Sequence, residues 1–351
     1  MTALPRRPGR RRFLAAAVAC AVAQLVPEAP SRAGAAEAEP AEAVAITVRA
    51  SPIAGFSRRE PSQTRFGALE FLSGLVLTSS YRGFGGLSAL RLDAAGERFT
   101  ALSDKGDWFT GRLVYRGRTL AGLDDVVAAP ILGGDGRPVA ARGWFDTESL
   151  TLDGDVAYVG IERVNQILRF DRFGQDGVRA RGQAIPVPRE ILNLPHNKGL
   201  EALVFVPRDR PLGGTLIAIS ERGLDAAGNL QAFLIGGPSP GQFSLRRRND
   251  FDVSDAALLP SGDLLVLERK FNLIDGVRIR IRRVALAAIA PGAVVDGEAI
   301  FDADLDDEVD NMEGIAVHRT ADGDILLTMI SDDNFSLLQR TLLLQFRLVA
   351  P

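Results

Sequence analysis

Four carboxylates recur along the chain at similar intervals, each beside a short apolar strand. They are Glu148, Glu201, Asp255 and Glu313, and Ser88 stands at the corresponding position of an earlier copy. The successive intervals are 60, 53, 54 and 58 residues. If the copies fold alike, these side chains converge, and converging carboxylates repel one another unless their charge is neutralised. A hard cation such as calcium, which takes about six to eight oxygen ligands, would neutralise them. We therefore predict the four carboxylates as metal ligands.

A second set of charged residues follows the next strand of each copy. The set is Asp104-Lys105, Glu162-Arg163, Glu221-Arg222, Glu268-Arg269 and Asp332-Asp333. Pairing of the acids with the basic residues would lock neighbouring copies together, and this is the structural alternative to a metal site. Protonation of some carboxylates is a third way to relieve their repulsion.

Lysine is rare, and every lysine lies inside a repeated segment. Lysine and arginine together number 41, of which only three are lysines. Ammonium groups at a converging ring suit contact with phosphate or carboxylate, with ion pairing to the recurring carboxylates as the alternative. The predicted substrate-binding residues are Lys105, Lys198, Arg222, Arg269 and Lys270.

Catalytic roles are predicted for Glu201 and Glu148, which would act with the metal, and for His196. His196 lies in the segment PHNKG just before a recurring strand. There it could donate a proton to a leaving group. The chain has no G-x-S-x-G nucleophile elbow between a strand and a helix, since its one string of that spacing, GPSPG at residues 237–241, has no helical pattern after it, so a Ser-His-Asp triad is disfavoured.

Paired apolar strands joined by tight turns must position these residues. Each interval contains about four strands, and sustained helical periodicity is nearly absent. Four-stranded units with a period of about 50 residues are typical of a β-propeller. The sequence therefore predicts an all-β fold of five or six blades, in which equivalent positions form rings around one axis. A pair of β-sandwiches is the alternative, but it would not explain a single recurring position.

The two ends of the domain are expected to share one blade. The last copy has three strands, which end at residues 341–349, and apolar strands at 45–50 and 68–79 precede the first copy. Those early strands could complete the last blade and protect its edges.

The first 35 residues have the features of an export signal. A twin-arginine segment at residues 10–14 (RRRFL) precedes an apolar run at 14–26, and small residues follow at 33–35. The run is about 13 residues, too short to span a bilayer easily, so a membrane anchor is disfavoured. We expect cleavage near Ala35 after passage through the twin-arginine export machinery.

The mature protein is expected to be periplasmic or secreted. Its linker would cover residues 36–43 and its propeller domain residues 44–351. The whole chain has a net charge of −3, and loss of the arginine-rich signal makes the mature protein more acidic, at about −8. Such a protein has no general attraction for nucleic acid or anionic lipid. The single cysteine, Cys20, lies in the signal, so no disulfide is expected.

Seven segments are similar to the phytase-like domain family, which is described as having esterase-like activity of phytase. They are FGGLSALRLD, ALSDKGDWF, DTESLTLDG, NKGLEALVF, ISERG, LLVLERKF and DNMEGIAV, and the similarity covers roughly residues 66–347. The resemblance implies an exported bacterial propeller. By relation to calcium-dependent propeller phytases, it also implies a hydrolase.

Two functions agree with these patterns. The first is a metal-assisted hydrolase of a small anionic or ester substrate, either a phosphate ester or a related ester, with calcium as cofactor. The second is a non-catalytic propeller that binds a ligand or a protein on one face, in which the charged rings are ion pairs between blades.

Overall fold

The computed structural model describes residues 42–272 and 276–349. The predicted signal peptide, its cleavage site and residues 36–41 of the predicted linker lie outside these residues. Within the described ranges, no helix is both long enough and apolar enough to cross a membrane.

Short apolar runs, interrupted by turns rich in glycine and aspartate, form twenty-five strands in the described part of the chain. The first nine are β1 (Val44–Ala45), β2 (Val48–Pro52), β3 (Arg65–Phe66), β4 (Leu69–Ser79), β5 (Leu87–Leu92), β6 (Arg98–Ser103), β7 (Asp107–Arg116), β8 (Thr119–Pro130) and β9 (Leu132–Gly133). The next eight are β10 (Thr147–Asp153), β11 (Val156–Ile161), β12 (Gln166–Phe170), β13 (Arg181–Ala184), β14 (Leu200–Phe205), β15 (Thr215–Leu224), β16 (Leu230–Gly236) and β17 (Gly241–Leu245). The last eight are β18 (Asp252–Leu258), β19 (Leu264–Asn272), β20 (Gly276–Val284), β21 (Val294–Val295), β22 (Glu298–Ala303), β23 (Asn311–Arg319), β24 (Ile325–Asp332) and β25 (Thr341–Leu348).

Helical segments in these ranges are short and lie in the connections between strands. The α-helices are α1 (Phe173–Asp176) and α2 (Arg189–Leu192). The 3₁₀ segments are Ala140–Arg142, Glu162–Val164, Gly177–Arg179 and Leu286–Ala288. The all-β prediction is confirmed.

Five sheets radiate from one axis as the blades of a propeller. From the inner strand outward, the sheets are β5-β6-β7-β8-β1, β10-β11-β12-β13-β9, β14-β15-β16-β17-β21, β18-β19-β20-β22 and β23-β24-β25-β4-β2, with β3 paired to β4. The inner strands β5, β10, β14, β18 and β23 each contact the next, and β23 contacts β5, so the ring closes. The structure thus decides for five blades between the two predicted counts.

The last blade combines both ends of the described chain, as predicted. β25 pairs antiparallel with β4, from Thr341 opposite Leu77 to Leu348 opposite Leu69. β2 then adds to the outer edge of β4. This pairing closes the ring with main-chain hydrogen bonds and leaves no open gap between the first and last blades.

Apolar layers between neighbouring sheets hold the blades together. Between the fourth and fifth blades the fully buried Phe56 lies at the centre of an aromatic group. Its ring centroid is 4.7 Å from that of Phe66, 5.0 Å from that of Phe346 and 5.8 Å from that of Phe301. The pairs with Phe66 and Phe346 are edge-to-face, an arrangement that adds stability beyond the burial of area alone.

Candidate active site at one end of the channel

Every inner strand contains a β-bulge near its first residue. In each blade the pairing between the inner strand and the next strand skips one residue. The skipped residues are Ser88, Glu148, Glu201, Ser254 and Glu313. A bulge bends its strand and redirects the side chain of the extra residue, which is why bulges are frequent beside active sites.

Three of the bulge residues converge. Oxygen atoms of Glu148, Glu201 and Glu313 lie within 4.8 Å of one another. Glu201 also belongs to a second group of the same size, with Glu162 and Glu221. We call Asp104, Glu148, Glu162, Glu201, Glu221, Glu313 and Asp332 the carboxylate cluster. The predicted convergence of Glu148, Glu201 and Glu313 is therefore present in the structure.

Asp255, the fourth predicted ligand, does not join the cluster. Ser254 occupies the bulge of the fourth blade, and Asp255 lies one residue further along the strand. The Asp255 carboxylate accepts hydrogen bonds from Arg91 Nη1 at 2.7 Å and Arg91 Nη2 at 2.9 Å. It also accepts from the backbone N–H of Ile315 at 2.9 Å and of Ala256 at 2.7 Å. These four donors satisfy the carboxylate, so Asp255 pairs with an arginine at the place where the sequence predicted a metal ligand.

The second set of charged residues, which the sequence placed after the second strand of each blade, is also shifted by one residue in the fourth blade. In the other blades this position belongs to Asp104, Glu162, Glu221 and Asp332. Asp104 and Glu162 directly follow the second strand, Glu221 lies within β15, and Asp332 ends β24. Each lies opposite a residue that precedes the inner strand or begins it. In the fourth blade this position belongs to Arg269, which pairs with Asp252. Glu268, which the sequence placed in this ring, is buried and hydrogen-bonded to Arg282 Nε at 2.8 Å inside its own blade.

Arg269 is therefore a cation in an otherwise acidic ring. Its Nη2 atom lies 3.3 Å from Glu313, 3.4 Å from Glu221 and 3.9 Å from Glu201. Its Nη1 donates to Asn311 Oδ1 at 2.7 Å, and Asn311 donates to Glu313 at 2.7 Å. Burial alone would lower the pKa of Arg269, but the surrounding carboxylates raise it above its ordinary value.

The carboxylates of the cluster resist ionisation. Burial first, and then repulsion from neighbouring acids, raises the pKa values of Glu148 and Glu201 well above the ordinary value. Burial is also the main cause that raises the pKa of Glu162 to about 7 and that of Asp332 to about 8. Only two cations, Arg269 and Lys198, lie among these seven acids, so a bound cation would favour the ionised form of the carboxylates that repel one another.

The donor set fits a hard cation. All of the converging atoms are carboxylate oxygens, the ligands that calcium prefers. No hydrogen-bond donor in the described residues contacts the carboxylate of Glu148, although burial disfavours its charge. Glu148, Glu201 and Glu313 are accordingly the residues that could hold a calcium ion.

The predicted substrate-binding cations are divided between the cluster and its surroundings. Lys198 Nζ lies 2.8 and 3.0 Å from the two oxygens of Glu221, and Arg269 contacts three acids as described. Lys105 Nζ lies 3.1 Å from the ring centroid of Phe335.

The other two predicted substrate-binding residues, Arg222 and Lys270, bind groups on neighbouring segments of the chain. Arg222 Nε donates to Asp252 at 2.8 Å and so joins the third blade to the fourth. Lys270 Nζ donates to the carbonyl oxygen of Asn249 at 2.9 Å. The structure therefore brings Arg269 and Lys198 to the cluster and gives Arg222 and Lys270 structural contacts.

His196 lies at the surface, in the turn that precedes Lys198. It is close enough to Asp146 to lower that residue's pKa, although burial, the larger effect, raises it. The other histidine, His318, is buried in β23, and burial lowers its pKa.

A cavity of 740 Å³ adjoins the cluster through Arg269 and Asn311. Its remaining walls come from Arg58, the end of β19, the start of β20 and the loops at residues 304–310 and 333–340. Sequence reasoning missed this cavity, because its walls are loops and strand ends outside the repeated pattern.

Comparisons with known proteins matched one family model and several solved structures. The family model described as "Phytase-like: Esterase-like activity of phytase" matches residues 82–335. The comparison with curated proteins gave no match.

Similar solved structures include YCF48 bound to a D1 peptide, at 12% identity and a TM-score of 0.33, covering 70% of this chain and 62% of that one. A protein assigned as an oxidoreductase (glucose dehydrogenase) from Thermus thermophilus has 15% identity and a TM-score of 0.32, with coverages of 85% and 100%. A protein assigned as a 6-phosphogluconolactonase from Bacteroides uniformis has 15% identity and a TM-score of 0.35, with coverages of 78% and 78%.

Proposed function

The chain belongs to the phytase-like family, and from that premise we propose that its carboxylate cluster is the active site of a calcium-assisted ester hydrolase. The substrate would be a phosphate ester or a related ester. The observation that supports this most is the approach of Glu148, Glu201 and Glu313 to within 4.8 Å, beside the guanidinium of Arg269. We further propose that the mature protein acts in the periplasm or outside the cell, after twin-arginine export.

Glu148, Glu201 and Glu313 would hold the cation. When bound, calcium would polarise the ester and lower the pKa of a coordinated water. Two of the three carboxylates already contact or approach Arg269, so their orientation is fixed before any ligand arrives. Such preorganisation is what electrostatic catalysis requires.

Arg269 would bind the anionic oxygen of the ester and stabilise the charge that develops there. Asn311 holds its Nη1, whereas Nη2 points among the acids, so the guanidinium lies between the cluster and the adjoining cavity. A planar, permanently charged guanidinium suits this role. His196, in the exposed turn next to Lys198, is the candidate proton donor to the leaving group.

Metal analysis and a substrate panel test the proposal. We expect calcium to copurify in a defined ratio, and its removal to lower the melting temperature by about 5 °C. On phytate, aryl phosphates and short-chain aryl esters, Glu201→Gln should reduce turnover of any active substrate about a hundredfold or more.

The matched control is Glu298→Gln, because Glu298 is an exposed glutamate at the start of β22. It should keep the calcium content and the turnover of the parent protein. Absence of bound metal together with an unchanged melting temperature on chelation would remove calcium from the proposal. Full turnover in Glu201→Gln would remove that residue from the site.

A non-catalytic binding propeller is the second candidate. Arg222 and Asp252 lock two blades together at the same end of the channel, which is the role expected of charged rings without catalysis. In addition, Leu337 is 104% exposed and Leu338 is 94% exposed, and side-by-side exposed leucines are typical of contact surfaces. A protein inactive on the whole panel, with an intact fold, would favour this candidate.

A further inference from the structure

The cavity beside the carboxylate cluster is amphipathic. Its volume of 740 Å³ lies in the range of small-molecule sites, about 300 to 1,000 Å³. The polar wall includes Arg269 and Asn311, which are also bound to the cluster. The apolar wall consists of Phe271, Val277, Leu305, Val309 and Leu338.

The apolar wall is open to solvent. Phe271 is 68% exposed, Leu305 is 49% exposed and Leu338 is 94% exposed. These side chains come from three separate segments, yet they line one cavity. Adjacent apolar side chains in water favour contact with an apolar group of a ligand, because their burial removes that surface from water.

The guanidinium groups around the cavity are already paired. Arg58 Nε lies 3.2 Å from Glu308, and Arg340 Nη1 lies 2.7 Å from the other oxygen of Glu308. Arg269 is shared among the acids of the cluster. In the described part of the chain, the cavity therefore offers one guanidinium at its junction with the cluster and no set of unpaired cations for a polyanion.

We propose that this cavity receives the apolar group of an amphipathic monoester, such as an aryl or medium-chain alkyl ester, whose reacting group meets Arg269 and the cluster. The placement of the reacting group depends on the proposed function, whereas the placement of the apolar group depends only on the lining of the cavity. A multiply phosphorylated ring, such as phytate, is then a poor substrate, because Arg58 and Arg340 of the cavity are already paired with Glu308 and leave no set of free cations for its other phosphates.

Binding of stable phosphonates tests this inference without turnover. Ethylphosphonate and octylphosphonate carry the same charged group, and their carbon–phosphorus bond is not hydrolysed as an ester. By isothermal titration calorimetry of the calcium-loaded protein, we expect octylphosphonate to bind about tenfold tighter or more, given the apolar area that it buries. The double variant Phe271→Ala/Leu338→Ser should lose this gain.

Leu337→Ser is the matched control. Leu337 is as exposed as its neighbour Leu338 but does not line the cavity, so this variant should keep the gain. Melting curves confirm that each variant is folded. Equal affinities for the two phosphonates, or a gain that survives in the double variant, overturns the inference.

The two proposals fail in different ways. A chain-length gain in binding without turnover of any ester supports the cavity and refutes the hydrolase. Turnover of short esters without a chain-length gain supports the hydrolase and refutes the assignment of the cavity.

Discussion

At the scale of single residues, Arg269 determines the electrostatics of the site. It stands at a ring position where the other four blades have an aspartate or a glutamate, and it contacts Glu201, Glu221 and Glu313. A desolvated arginine among several acids is stabilised by them, but it neutralises only part of their charge. The remaining charge is what gives the site its affinity for a cation in our proposal.

Asp255 shows the opposite case, in which a carboxylate is fully paired. Asp255 is completely buried, and Arg91, which binds it, also donates to the carbonyl oxygens of Leu203 at 3.2 Å and Ile315 at 3.0 Å. These contacts join the inner strands of four blades across the channel. Asp255 thus acts as the counter-ion of a cross-link between blades.

Asp255→Asn is expected to destabilise the protein without changing its metal content. Loss of the charge leaves Arg91 buried without a counter-ion, which costs about 3 to 5 kcal/mol in the free energy of unfolding. Chemical denaturation measures this loss, and elemental analysis of the folded variant measures the metal. A folded variant that has lost its calcium would show instead that Asp255 takes part in the metal site.

At the scale of elements, the β-bulge is the device that builds the site. All five inner strands carry it at the same place, and in four blades an acid lies in or just after the strand that follows, opposite the start of the inner strand. The bulge residues are carboxylates in three blades and serines in the other two, Ser88 and Ser254. The hydroxyl of Ser254 is buried and has no hydrogen-bond partner within the described residues.

Ser254→Asp is expected to raise the affinity for calcium, because it adds a carboxylate at a fourth bulge position. Without calcium, the same change should lower the melting temperature, since it adds a buried like charge. Calcium titration followed by calorimetry measures the first effect, and thermal unfolding of the metal-free protein measures the second. Ser51→Asp, at an exposed position in the outer strand β2, serves as the control. An unchanged calcium affinity in Ser254→Asp would contradict the equivalence of the bulge positions.

At the scale of the whole molecule, closure of the ring keeps the cluster together despite its repulsion. Strands from both ends of the domain share the fifth blade, and Arg91 and Asp255 cross-link the inner strands. The energy of ring closure and of apolar burial therefore opposes the cost of placing seven carboxylates together. That cost should depend on pH.

The metal-free protein is expected to become less stable as pH rises from about 5 to 8. The pKa values of Asp104, Glu162 and Asp332 are raised, mainly by burial, to about 6, 7 and 8 from ordinary values near 3.8 to 4.5. Between the two values each folded carboxyl binds more protons than the unfolded one, so the free energy of unfolding falls as pH rises.

Melting temperatures of the metal-free protein at pH 5 and pH 8 measure this effect. Saturating calcium should reduce the decrease, because it stabilises the ionised form, and Glu162→Gln should also reduce it. Glu298→Gln should leave it unchanged. A metal-free protein that melts at a higher temperature at pH 8 than at pH 5 would refute the assignment of raised pKa values to the cluster.

The sequence by itself determined the strands, the blade period and the shared last blade. These features depend on local patterns, namely apolar residues of strand period bounded by turn residues, and on a repeat that is visible as spacing. It also predicted the meeting of Glu148, Glu201 and Glu313, because equivalent positions of a propeller must converge.

Only the tertiary structure decided the fourth blade and the cavity. A shift of one residue sends a strand side chain to the other face, so Ser254 and Arg269 take the places that the spacing had given to Asp255 and Glu268. The partner of Asp255, Arg91, lies 164 residues away along the chain. Such pairs, and a cavity walled by loops from two blades, depend on long-range packing that local patterns do not encode.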